Sequence, residues 1–251
     1  MLPPKSLGNA IVMATPTYGW LDVDFVMNLR THAAPIHTSL IWYSTKGDRF
    51  GEAVEVGEAR DTIVRFALAE NASHIFFRDH DVLAPPDSLP VLLARDTPVI
   101  GGLYYSKERP PWPLLIKDRR PSFDWQHGDV VKCDGIGMGC TLIDTEVFRQ
   151  LEPPWFVTRS EGRTDDALSI SMSEDIYFCN RLIDELGIYP YCDTSVACIH
   201  YDINDRTQFF YDHNVGTGVW QEAGQPTGKA ILPIDHPDLS VTDLTKESEP
   251  K

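Results

Sequence analysis

No apolar run in this chain approaches the ~20 residues that a membrane-crossing helix needs. The amino terminus, Met1-Leu2-Pro3-Pro4-Lys5, lacks the apolar core of a secretion signal. The chain therefore reads as a cytoplasmic protein with no transmembrane segment. It is short of positive charge: 22 Lys and Arg stand against 37 Asp and Glu, for a net charge of −15. Phosphate-backbone binding needs a basic footprint, so neither nucleic-acid binding nor adhesion to an anionic membrane is expected. A phosphorylated small molecule is still admissible, given a metal and a few basic side chains to supply local positive charge. Cysteine is scarce too. Five residues, an odd number without C-x-x-C spacing, exclude a disulfide framework and a zinc knuckle and leave small buried thiols. There is no internal repeat and no clear interdomain linker, and 251 residues suffice for one substantial core.

What is present is an alternation of elements. Asn9 to Ala14 and His37 to Ser44 read as strands, with Thr15-Pro16-Thr17-Tyr18-Gly19 as the turn leaving the first and Asp22 to Leu29 as a helix. Val56 to Glu70 carries Ala59, Ile63, Phe66, Ala67 and Glu70 at helical spacing and feeds the strand His74 to Arg78. A short helix from Pro86 to Ala94 and a strand from Pro98 follow. This order predicts an α/β fold with a mixed, mainly parallel sheet flanked by helices. Ligands of such sheets sit beyond the carboxyl ends of the strands, so Thr15 to Tyr18, Asp79 to Asp81 and Tyr104 to Lys107 are expected to face one crevice. The second half differs in texture. Leu114 to Ile116 and Val130 to Cys133 suggest a small antiparallel excursion. Cys140 to Ile143 reads as a strand and Asp144 as the cap of a helix to Gln150. Glu152 to Ser171 is a long polar stretch suited to a lid. A helix opens at Ser173-Glu174-Asp175 and ends at Gly187, and Ile188 to Ile199 reads as a strand pair leading to His200. Residues 216–251 read as a tail or wrapping segment.

Chemistry centres on Arg78-Asp79-His80-Asp81. Residues i and i+2 of an extended segment point the same way, so Asp79 and Asp81 converge if the backbone stays extended. Two adjacent anions repel unless a cation lies between them, and hard oxygen ligands suit Mg²⁺ or Mn²⁺. On its own the D-x-D reads more simply as a polar turn after a strand. Other residues have similarly plain readings: Arg60-Asp61 as a surface ion pair, Ser171 with Glu174 as a capping box, His200 as a packed histidine, and Trp112, Trp125 and Trp155 as loop or core packing. Gly135-x-Gly137-x-Gly139 lacks dinucleotide spacing. It is either a tight turn or a loop that lets a sugar approach the backbone.

The order of these motifs resembles that of GT-A glycosyltransferases, particularly soluble family 2-like members. The matching run is Thr15-Pro16-Thr17-Tyr18, Ala59-Arg60-Asp61, Phe76 to Asp81, Ile100 to Tyr105, Asp134 to Gly139, Ser173-Glu174-Asp175 and the strand ending at His200, across residues 9–202. Asp61 stands where the family carries asparagine, and Arg78 and His80 stand where an apolar residue and a third acid are commoner. The resemblance implies one GT-A-like domain over residues 1–215, with a nucleotide-binding half at about 9–105 and an acceptor-binding half at about 106–215. It implies transfer of a sugar from a nucleotide-diphosphate donor to an acceptor hydroxyl, with inversion. Thr15, Pro16, Thr17, Tyr18, Arg60, Asp79, His80 and Gly137 would bind the donor. Asp81, His200 and Asp79 would hold Mn²⁺ or Mg²⁺, Asp175 would be the general base, and Glu174 would assist. The alternatives are a sugar nucleotidyltransferase and a nucleotide-sugar-binding or carbohydrate-binding module without turnover. The basic Gly-rich loop of the former is replaced here by Thr15-Pro16-Thr17-Tyr18.

Overall fold

A computed structural model describes residues 10–17, 20–33, 39–45, 55–160, 171–222 and 228–229. Four strands follow the apolar runs of the first half: β1 (Ala10–Pro16), β2 (Ser39–Thr45), β3 (His74–Arg78) and the two-residue β4 (Val82–Leu83). Between them lie α1 (Val23–Arg30), whose N-cap Asp22 accepts the Asp24 amide at 2.9 Å, and α2 (Val56–Ala69). Next come α3 (Ser88–Leu93), β5 (Val99–Leu103), β6 (Leu115–Lys117), β7 (Arg120–Pro121), β8 (Val130–Lys132), β9 (Gly135–Ile136) and β10 (Cys140–Asp144). The cap Asp144 then starts α4 (Thr145–Gln150). The chain continues through β11 (Arg159–Ser160), β12 (Ser171–Met172) and α5 (Glu174–Arg181), which runs into a π-helical turn at Leu182–Leu186. Gly187, at φ 67°, closes that turn in the left-handed region. The last strands are β13 (Tyr191–Ala197), β14 (Ile199–Tyr201), β15 (Gln208–Asp212), β16 (Thr217–Gln221) and β17 (Gly228–Lys229).

The main sheet has the order β2-β1-β3-β10-β5-β13-β8. Pairs β1–β2, β1–β3 and β5–β13 are parallel, whereas β10 runs antiparallel to both β3 and β5, and β8 antiparallel to β13. The sheet is therefore evenly mixed. Residues 130–132 belong to its edge rather than to the antiparallel excursion expected from their sequence; that excursion is β7-β6-β9. Helices cover both faces, which is why the inner strands are apolar throughout. Alternate residues serve the two sides. Val12, Ala14, Ile75 and Phe77 pack with Ile63 and Val64 of α2, Phe148 of α4 and Phe178 of α5. Ile11, Met13 and Phe76 pack with Phe25 of α1 and with Leu89 and Leu92 of α3. All five cysteines are free and buried.

A second sheet, β17-β16-β15-β14-β4, is antiparallel throughout. Residues 217–221, read from sequence as part of a tail or wrapping segment, are one of its strands. Its pairing of β14 with β4 places His200 opposite Val82. No helix among the described residues is long and apolar enough to cross a membrane.

Candidate functional site

The carboxyl ends of β1 and β3 border a cleft of about 250 Å³ lined by Pro16, Thr17, Val56, Ala59, Arg60, Asp79, His80, Asp81 and Glu174. Thr15 is buried within β1, and Tyr18 lies outside the described residues. The segment after β3 does not stay extended. The Val82 amide donates to the Asp79 carbonyl at 3.1 Å, closing a four-residue turn. Gly139 O accepts the Asp79 amide at 3.0 Å, Asp81 O accepts the Tyr201 amide at 2.9 Å, and Tyr201 Oη donates to His80 O at 2.8 Å. His80 also meets Trp20 edge-on, with ring centroids 5.6 Å apart. Because the backbone turns, the two carboxylates do not converge on one cation, and each has its own.

Asp79 belongs to Arg60. Nη2 lies 3.0 and 2.9 Å from its two oxygens, and Nε lies 3.4 Å from Glu174 Oε1. Arg60 is 2% exposed and sits over the Phe77 ring, so it is an internal cation rather than half of a surface pair with Asp61. Asp61 accepts the Trp155 and Phe156 amides, both at 3.0 Å, which anchors the start of the 152–171 stretch; residues 161–170 of that stretch lie outside the described residues. Glu174 is committed to Arg60 and does not complete a capping box, because the N-cap of α5 is Ser173 and Ser171 is in β12. Burial raises the Glu174 carboxyl above its ordinary value despite the attraction of Arg60. Asp175 is raised as well, chiefly by burial, while the Ser173 hydroxyl and the Ile176 amide at 2.8 Å donate to its Oδ1 and pull the other way.

Asp81 belongs to the opposite group. Its Oδ2 is 2.6 Å from Lys107 Nζ and 3.5 Å from His200 Nε2. Burial disfavours this anion, but His200 and Lys107 outweigh it and hold the carboxyl well below the usual range. His200 Nδ1 lies 2.7 Å from Tyr105 O. An N–H there donates to the carbonyl and aims Nε2 at Asp81. This carboxylate oxygen and imidazole nitrogen are two side-chain groups that could ligate one divalent cation. Asp79, expected from sequence as a third ligand, is taken up by Arg60. Among the described residues no group of three metal-binding side chains forms.

Tyr104 separates the two groups. Its ring meets His200 edge-on at 5.4 Å, and its hydroxyl accepts the Gly139 amide at 2.8 Å. A Cβ at residue 137 would lie 2.1 Å from that hydroxyl. Glycine at 137 is thus required by Tyr104, which fills the space that a sugar was expected to approach. Trp155 is core, its indole N–H donating to Phe148 and Leu151 carbonyls. Sequence reasoning missed Lys107 as a partner of Asp81, although it had placed residues 104–107 at the crevice; a basic residue just past a strand end was the available signal.

No family model matches the chain, and no curated protein matches it. Among solved structures, A197 from STIV aligns with a TM-score of 0.56 and 17% identity, covering 84% of this chain and 94% of that one. At this identity the likeness is one of fold alone, that of a mixed α/β sheet flanked by helices.

Proposed function

We propose that this chain has a GT-A-type fold and is a glycosyltransferase that moves a sugar from a nucleotide-diphosphate donor to an acceptor hydroxyl with the help of Mn²⁺ or Mg²⁺. The observation that carries this reading is the meeting of Asp81 and His200 at 3.5 Å beside the cleft at the strand ends. These residues come from distant parts of the chain and share a site only because β14 pairs with β4. Asp81 Oδ2 and His200 Nε2 would hold the divalent cation, which when bound supplies Lewis-acid stabilisation of the departing diphosphate. Pro16 and Thr17 also line the cleft, and the nucleoside would lie against them. Arg60 fixes Asp79 at the cleft wall for hydrogen bonding to the donor. Asp175, raised in pKa by burial, accepts the proton of the acceptor hydroxyl. A base acting on an incoming hydroxyl favours inversion.

The test is thermal unfolding across a panel of nucleotide sugars, with and without Mn²⁺. Binding to the folded state raises the midpoint by mass action. A rise is expected only when the cation and one class of donor are both present, and Asp81→Ala should cancel it and abolish transfer while leaving the unliganded midpoint nearly unchanged. An Asp81→Ala protein that still transfers sugar at the wild-type rate would overturn the reading.

A further inference from the structure

Two cations hold the carboxylates of the cleft, Arg60 from its wall and Lys107 through Asp81, and they differ in freedom. Arg60 is buried and shared between two carboxylates. Lys107 has about a third of its side chain in solvent, and its only carboxylate among the described residues is Asp81. The residues leading into Lys107 are tied down: the Ser106 amide donates to Trp112 O at 2.8 Å, the Trp112 amide to Ser106 Oγ at 3.1 Å, and Tyr105 bridges to Pro113. The ammonium itself sits at the end of a flexible four-carbon stem. The oxygen it holds, Asp81 Oδ2, is the one nearest His200 Nε2. The His200 ring is oriented by the Tyr105 carbonyl, two residues before Lys107. The contact that the ammonium makes here is to Asp81 Oδ2, at 2.6 Å, and not to the His200 ring.

We propose that Lys107 is the exchangeable counter-charge of this site: it surrenders Asp81 to an incoming divalent cation and turns to the donor's diphosphate. This rests on the metal-dependent reading above. Without ligands, Lys107 keeps Asp81 from standing as an unpaired, half-buried anion. With both ligands present, the cation takes over Asp81 and the diphosphate supplies the ammonium with new oxygen partners. The cation and the diphosphate then each favour binding of the other, through a residue that competes with the first and attracts the second.

Mn²⁺ titration of the full chain, followed by electron paramagnetic resonance of free Mn²⁺, tests this in wild type, Lys107→Met, Lys107→Gln and Asp81→Asn. Removing the competing ammonium should tighten Mn²⁺ binding about tenfold in both Lys107 variants, while Asp81→Asn abolishes it. With Mn²⁺ saturating, calorimetry with uridine, guanosine and adenosine diphosphates should show about tenfold weaker binding of the preferred nucleotide to the Lys107 variants. Equal Mn²⁺ affinity in wild type and both Lys107 variants would overturn the exchange while leaving the metal reading intact. Tighter Mn²⁺ binding without any loss of nucleotide affinity would overturn the hand-over to diphosphate. Mn²⁺ binding to none of the proteins would overturn both the inference and the metal reading beneath it.

Discussion

Two buried arginines meet the end of β3 from opposite faces of the sheet, in opposite electrostatic surroundings. Arg60 reaches the end of β3 from α2 and finds two carboxylates, Asp79 and Glu174. Arg78, the last residue of β3, points to the other face of the sheet. There it donates to Asn28 Oδ1 at 2.9 Å and Val82 O at 3.0 Å, meets His32 Nε2, and lies near the faces of Phe25 and Phe76. It has no carboxylate partner among the described residues. Attraction to Asp79 and Glu174 outweighs burial and raises the pKa of Arg60, whereas burial lowers that of Arg78. The alternation of a strand explains how this arises. Phe77 and Asp79 face α2, while Phe76 and Arg78 face α1. One face of the same strand end therefore carries a charge-balanced cluster open to the cleft, and the other carries a clamp joining α1 to the turn after β3. Charge balance marks the side where ligand chemistry belongs. Neutral hydrogen-bond partners mark the side that holds the scaffold.

The contrast is broken most directly by removing each guanidinium. Arg60→Met leaves buried Glu174 and part-buried Asp79 beside each other without a cation, a broken network whose cost, reduced by the exposure of Asp79, is about 3 kcal/mol. Arg78→Met leaves no orphaned charge and relieves a desolvated one, so its loss is confined to the acceptors Asn28 Oδ1 and Val82 O, about 2 kcal/mol. Urea unfolding at pH 7 should rank the variants in that order. If Arg78→Met proved the more damaging, the clamp rather than the balanced cluster would dominate the energetics of this strand end.

The same strand end shows what a sequence makes legible. The apolar runs of β1, β3 and β5 and the periodicity of α2 identify the α/β layers, because burial on both faces or on one stripe is written into every second or every third to fourth residue. The caps Asp22 and Asp144 announce α1 and α4 by local chemistry alone. The turn at Asp79 to Val82 was legible as the plain reading of D-x-D, but the contacts that hold it, to Gly139 and Tyr201, are remote in sequence and were not. Strands β4 and β14 have two and three residues, too few for a period, and only their pairing brings His200 to Asp81. The departures from the resembled family also find physical reasons. Arg78 replaces an apolar residue because α1 offers it Asn28. Asp61 uses one oxygen, Oδ1, to accept both loop amides, a task that the side-chain carbonyl of asparagine performs equally well.

The smallest expected effect is on the clamp side and concerns acid. His32 packs against Phe76 and Arg78. Burial, reinforced by the Arg78 charge, pushes its imidazole from 6.5 down to about 4. An unfolded chain would bind a proton at His32 near pH 6.5, whereas the folded chain resists until about pH 4. Stability from this group is therefore complete above pH 6.5, declines as pH falls between those values, and is level below them. Since His32 is partly exposed, solvent screening reduces the decline between pH 7 and pH 5 to roughly 1 kcal/mol. His32→Gln should remove that portion of the slope. Arg78→Met should flatten it only in part, because the charge goes but the burial stays. Urea midpoints at pH 7, 6 and 5 for the three proteins provide the comparison. An Arg78→Met slope identical to wild type would mean that burial alone sets the His32 titration and that the unbalanced charge of Arg78 does not reach it.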